Sequence, residues 1–169
     1  MKWRTAILSI SSQHGLTGTE DTSSQVIREL VEEEYGSEVV DYRVVPHQME
    51  DIIAALIEMS DYFKADLILT TGGSGFSPRD VTPEATRKVV EKLAPGISEW
   101  IRYRGFMQEA DYYSTDRGIA GIRGQSLIVN LPAEPKQVHE SLNAILPKLP
   151  GMIRVLQQTD RVQDELEPF

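Results

Sequence analysis

The chain concentrates its chemical potential in one stretch, Thr70-Thr71-Gly72-Gly73-Ser74-Gly75-Phe76, with Arg79-Asp80-Val81-Thr82-Pro83-Glu84 close behind it. Three glycines within four positions permit positive φ and close ligand approach, so successive backbone N–H groups can turn toward the oxygens of an anion. Ser74 adds a hydroxyl donor. Arg79 supplies a cation, Asp80 a carboxylate, and Thr82-Pro83 the start of a helix whose first amides favour negative charge. Phosphoryl chemistry requires these parts, because its catalysis is mainly positioning and neutralisation of charge on phosphate oxygens. Asp80 is accordingly the candidate catalytic carboxylate and a candidate Mg²⁺ ligand. Two plainer roles stay open: Asp80 can simply stabilise the helix N-terminus, and the glycines can form an ordinary tight turn.

Several familiar readings of such a turn fail. No Gly-Lys-Ser/Thr closes it as a Walker A loop, and the third glycine of the dinucleotide fingerprint is missing. A hydrolase nucleophile elbow needs glycine where Phe76 stands. With 17 basic against 26 acidic side chains and a net charge of −9, a broad nucleic-acid footprint is not expected, so any phosphate must be held locally. The absence of cysteine removes disulfides, thiolate zinc sites and a cysteine nucleophile. It gives no sign of an oxidising compartment, and the cytoplasm is the expected location. The apolar run at 6–10 is too short for a signal core or a membrane span. His14 and His139 lack metal-ligand spacing, and Tyr112-Tyr113 reads as a packing or subunit-contact pair, since no basic cluster surrounds it.

The elements that must position these residues follow from periodicity. Residues 5–10, 38–45, 66–71 and 126–131 are apolar or β-branched runs that predict strands. Helices are predicted between them: one from Asp21, Thr22 or Ser23 to a stop at Gly36, one carrying Ile52, Leu56, Met59 and Phe63, and one from Thr82 to about Leu93. Pro95-Gly96 breaks that last helix, and residues 97–103 predict another. Residues 114–124 read as hairpin or loop. Val138, Leu142 and Ile145, then Ile153, Val155 and Leu156, mark two closing helices. Strands alternating with helices favour right-handed crossovers and a mostly parallel sheet between helical layers, a three-layer α/β domain. One domain is expected over residues 1–157, followed by a polar tail at 158–169.

Residues 69–86, Leu-Thr-Thr-Gly-Gly-Ser-Gly-Phe-Ser-Pro-Arg-Asp-Val-Thr-Pro-Glu-Ala-Thr, resemble the signature of the Mog/MoaB family of molybdenum-cofactor biosynthesis, which includes the gephyrin G domain. The likeness continues through residues 7–11, Val44-Val45-Pro46, Ala94-Pro95-Gly96, Gly121-Ile122-Arg123-Gly124 and residues 127–132 with Pro135-Lys136, leaving out only the last dozen residues. The resemblance implies a usually trimeric α/β domain that binds molybdopterin. In catalytic members it implies Mg²⁺- and ATP-dependent adenylylation of that pterin with release of pyrophosphate, and other molybdenum-cofactor enzymes as partners. On this reading the amides of Gly72, Gly73, Ser74 and Gly75 hold phosphate and Arg79 assists. Asp80 positions metal or substrate, and Asn130 and Lys136 are strand-end ligand contacts. Arg117 and Arg123 are secondary candidates.

Four positions depart from that pattern. His47 stands where catalytic members carry an acid after Val-Pro, and a neutral imidazole is a poor ligand for a hard cation. His47 can instead contact a phosphate. Ser12 replaces an Asp, Asp116 replaces a Ser, and Ala133 replaces a Gly. The departures leave a second expectation beside the enzyme, a pterin- or nucleotide-binding paralogue without turnover. A third is a structural trimeric module.

Overall fold

The computed structural model describes residues 2–12, 20–108 and 111–164, with 159–164 by backbone alone. Residue His14 and the last residues of the predicted tail lie outside the described residues.

Strand β1, Arg4–Ile10, is buried along nearly its whole length and is flanked by β2, Glu38–Val45, and β3, Leu67–Thr71. Both neighbours run parallel to it, and β6, Ser126–Leu131, runs parallel to β3. Two antiparallel strands complete the sheet, β5 at Ala120–Arg123 and β4 at Lys92–Leu93, giving the order β2-β1-β3-β6-β5-β4. The alternation of side chains along each strand divides the core in two. Ile7, Leu67, Leu69, Leu127 and Val129 face one helical layer, whereas Ala6, Leu8, Ile68 and Ile128 face the other. Leu67, Ile68 and Leu69 are completely buried, each contributing about 1.5–3 kcal/mol by leaving water.

The first layer contains α1, Thr22–Glu29, continued by a π turn at Leu30–Glu34, with α4, Pro95–Met107, α5, Pro135–Ile145, and α6, Leu149–Asp164. The second contains α2, Met49–Asp61, and α3, Thr82–Val89. The three-layer α/β architecture is therefore the one the sequence predicts.

Local differences have local causes. Helix α3 stops at Val89, because Val90 is extended at ψ 144° and carries the chain into edge strand β4. Gly121 permits that approach, since a Cβ there would stand 2.6 Å from Val90 Cγ1. Pro95, read as a breaker, sits in the first turn of α4, where its missing N–H costs no bond. The 114–124 segment resolves into the end of a 3₁₀ turn, Asp111–Thr115, and a β5–β6 hairpin turning at Gly124. Helix α6 continues past residue 158, where the polar tail was expected to begin.

Candidate active site

Strand β1 has β2 on one side and β3 on the other, so the connections leaving β1 and β3 run to opposite faces of the sheet. Open parallel sheets bind ligands at such a point, beyond the carboxyl ends of the strands. The glycine turn occupies it. Gly72 and Gly73 have φ of +94° and +72°, conformations that disfavour side chains. Space demands glycine as well: a Cβ would lie 2.5 Å from the Ile10 carbonyl oxygen at Gly72 and 2.2 Å from Thr82 Oγ1 at Gly73.

Thr82 fastens the turn to α3. Its hydroxyl donates to the Gly72 carbonyl at 2.9 Å and its amide to the Gly73 carbonyl at 3.0 Å. The sequence reading began this helix at Thr82; Val81 occupies the cap position, and the Thr82 hydroxyl serves the turn. On the other side Thr71 Oγ1 donates to the Pro132 carbonyl at 2.7 Å, joining β3 to the exit of β6.

Asp80 folds back against the turn. Its Oδ2 accepts the Ser77 amide at 2.9 Å and lies 2.9 Å from where a Gly75 Cβ would be. A cavity of about 230 Å³ brings Asp80 together with Gly73, Ser74, Gly75, Tyr112 and Asp116. A second cavity of about 320 Å³, on the other side of Gly72, is lined by Ser9, Ser11, Asp21, Thr22 and Thr71. Ala133 borders both.

The remaining predicted residues divide into two groups. Arg79 is exposed, and its Nη1 reaches Ser12 Oγ at 3.4 Å, spanning the ends of β3 and β1. Lys136 is exposed in the first turn of α5, whose next residue, Gln137, lines the smaller cavity. His47 follows β2, half-buried, with Nδ1 lacking a hydrogen-bond partner. Arg117 is bound into the framework: Nε donates to the Gly75 carbonyl at 2.7 Å, Nη2 to the Asp80 carbonyl at 3.0 Å, and Nη1 pairs with Glu84. That guanidinium holds the Glu84 carboxyl below its ordinary range. Arg123 lies at the opposite end of the sheet, paired with Asp61 at 2.7 Å.

Asn130 is only 4% exposed, and its polar atoms are all engaged. Nδ2 donates to Thr70 Oγ1 and Thr86 Oγ1, both at 3.0 Å, while Oδ1 accepts the Ile119 amide at 3.1 Å. Its place is beneath the turn, tying β6 to β3 and α3.

Three contributors escaped sequence reading. Asp21 was legible only as a helix cap, which it is, accepting the Ser24 amide at 2.9 Å; the strand order also sets it on the larger cavity. Burial pushes its carboxyl up, but donors from Ser24, Ser9 and Tyr42 outweigh this and hold it below 3.8. Tyr112, read as a packing residue, does pack against Tyr113, with tilted rings 4.0 Å apart between centroids, and it also walls the smaller cavity. Burial, reinforced by its bond to Glu140 at 2.6 Å, keeps its phenol protonated well above the ordinary range. Arg102, on α4, pairs with Asp116 at 3.1 Å. No sequence signal linked α4 to this rim.

Comparison with known proteins places the chain in a family. A family profile described as "Probable molybdopterin binding domain" matches residues 6–151. The molybdopterin adenylyltransferase of Helicobacter pylori J99 is 39% identical over 154 residues, covering 89% of this chain and 85% of that protein. The molybdenum cofactor synthesis protein cinnamon of Drosophila melanogaster is 37% identical over 150 residues, 89% of this chain but 25% of its own length. Among solved structures, the molybdopterin biosynthesis enzyme MoaB of Thermus thermophilus superposes with a TM-score of 0.83 at 39% identity, covering 91% of this chain and 96% of that one. The Mog protein of Mycobacterium ulcerans gives 0.81 at 28% identity, over 92% and 99% of the two chains. A glycine turn held at the strand switch, within a match spanning most of the sequence, makes this chain a member of the molybdopterin-binding domain family of molybdenum-cofactor biosynthesis.

Proposed function

We propose that the protein transfers the adenylyl group of ATP to the phosphate of molybdopterin. In that reaction a pterin phosphate oxygen bonds to the α-phosphorus as the bond from phosphorus to the departing pyrophosphate breaks. The observation that carries this reading is the rigid turn at residues 72–75 standing between two cavities, with Asp80 folded against it. Two adjacent cavities suit two substrates whose phosphates must meet. The amides of Gly73, Ser74 and Gly75 orient phosphate, and the N-termini of α3 and α5 favour its charge. Arg79 and Lys136 supply exposed cations at the mouth, while Arg117 and Asn130 hold the turn and Asp80 in place.

The donor set fits Mg²⁺. Asp80 keeps lone pairs beyond the one given to Ser77, Ser74 offers a second oxygen, and Mg²⁺ typically needs only one or two carboxylates beside substrate phosphates and water. When bound, the ion would neutralise charge on the reacting phosphates. We also infer a homotrimer, a cytoplasmic setting and contacts with other enzymes of the same pathway. Among the described residues no helix is long and apolar enough to cross a membrane.

The test is direct incubation with molybdopterin, ATP and Mg²⁺, followed by detection of adenylylated pterin. Asp80→Asn is expected to lower kcat about 100-fold or more. Absence of product from folded wild-type protein would overturn the reading. The partnerless Nδ1 of His47, at a position where catalytic relatives are expected to carry an acid, favours a second reading: a chain that binds pterin or nucleotide without turnover. Tight binding without product, and product restored by His47→Asp, would establish that alternative.

A further inference from the structure

Asp116 is the second carboxylate on the cavity beside the turn, and its side chain is only 10% exposed. Standing alone, it would repel an incoming phosphate, the more so where water is partly excluded. Arg102 prevents this. From α4, its Nη1 donates to Asp116 Oδ2 at 3.1 Å and to the Gly118 carbonyl at 3.0 Å. The other carboxylate oxygen, Oδ1, accepts the Ser74 hydroxyl at 3.4 Å and the Gly118 amide at 3.3 Å. The loop has little slack, since a Cβ on Gly118 would lie 3.2 Å from the Asn130 carbonyl oxygen and 3.3 Å from Asp116 Oδ1. Asp116 therefore cannot easily swing away from the turn.

We propose that the Arg102–Asp116 pair sets the anion tolerance of this site: Arg102 is a positioning residue that cancels the Asp116 charge and keeps Oδ1 turned to the Ser74 hydroxyl. The proposal rests on the reading of the turn as a phosphate-binding site and gives Asp116 a defined task. The pair removes one net negative charge from the cavity wall and leaves the Ser74 hydroxyl already oriented. Removing either member should shift phosphate affinity in opposite directions, a result that packing alone does not produce.

Two readouts test it, Kd for inorganic pyrophosphate by calorimetry and KM for molybdopterin in the adenylylation assay. Arg102→Met leaves the carboxylate unbalanced and is expected to raise both about ten-fold, with a smaller effect on kcat. Adding Asp116→Asn should bring both back to within about three-fold of wild type. Asp116→Asn alone leaves an uncancelled guanidinium and should tighten pyrophosphate binding about three- to ten-fold. If Arg102→Met does not fold, that single variant decides the matter: tighter binding supports the pair, unchanged or weaker binding overturns it. Failure of Asp116→Asn to rescue a folded Arg102→Met would assign Arg102 to packing and overturn the proposal, as would a wild-type chain that binds no pyrophosphate. Pyrophosphate binding with rescue but no adenylylated pterin would remove the enzymatic reading and leave the pair standing.

Discussion

Asp21 illustrates how one side chain can do two jobs that only the folded chain connects. It caps α1 through the Ser24 amide and hydroxyl, and it also receives the Tyr42 hydroxyl at 3.2 Å beside the larger cavity. Its carboxyl sits below 3.8, so it stabilises the native state above that pH and loses the contribution as pH falls through the lower folded value. Asp21→Ala should cost about 1 kcal/mol near neutrality and noticeably less at about pH 3, as read by urea melts. Equal losses at both pH values would contradict the assignment. The capping role was readable from sequence, since Asp before a helical period is a common start signal. Its place on the cavity was not, because nothing in the sequence states that β1 and β3 are neighbours. The glycines were legible for the opposite reason: their conformational freedom is a local property.

At the scale of elements, Asn130 is the joint on which the turn rests. One buried amide holds Thr70 of β3 and Thr86 of α3, and its carbonyl holds the backbone leading into β5. Asn130→Ala would strand these groups where water cannot replace them, and a loss of about 2–4 kcal/mol is expected in chemical denaturation. A loss below about 0.5 kcal/mol would mean that the neighbouring groups find other partners. The sequence resemblance made Asn130 a ligand contact; in the folded chain its side-chain amide is engaged by Thr70, Thr86 and the Ile119 amide. Helices with a clear apolar period and strands of continuous β-branched residues were legible. Edge strand β4 was not, since its two residues, Lys92 and Leu93, are paired only by virtue of β5 lying beside them.

For the molecule as a whole, the exposed apolar side chains set the expectation. Tyr103, Phe106 and Met107 are 55%, 54% and 67% exposed at the spacing of one helical stripe on α4. An exposed stripe of this kind is a contact surface in waiting, and the proposed homotrimer would cover it. Sedimentation should therefore give a species of about three chains, and Phe106→Glu should shift it toward monomer, because burying a charge in an apolar contact is costly. A wild-type monomer at every concentration would remove the trimer. The crossovers from β1 and β3 depart to opposite faces, so the opening above them is a by-product of chain routing and needs no carving from the interior. Changes in its lining, such as those at Asp116 and Ala133, can accordingly accumulate without disturbing the framework, and descendants of one scaffold are free to exchange one guest for another.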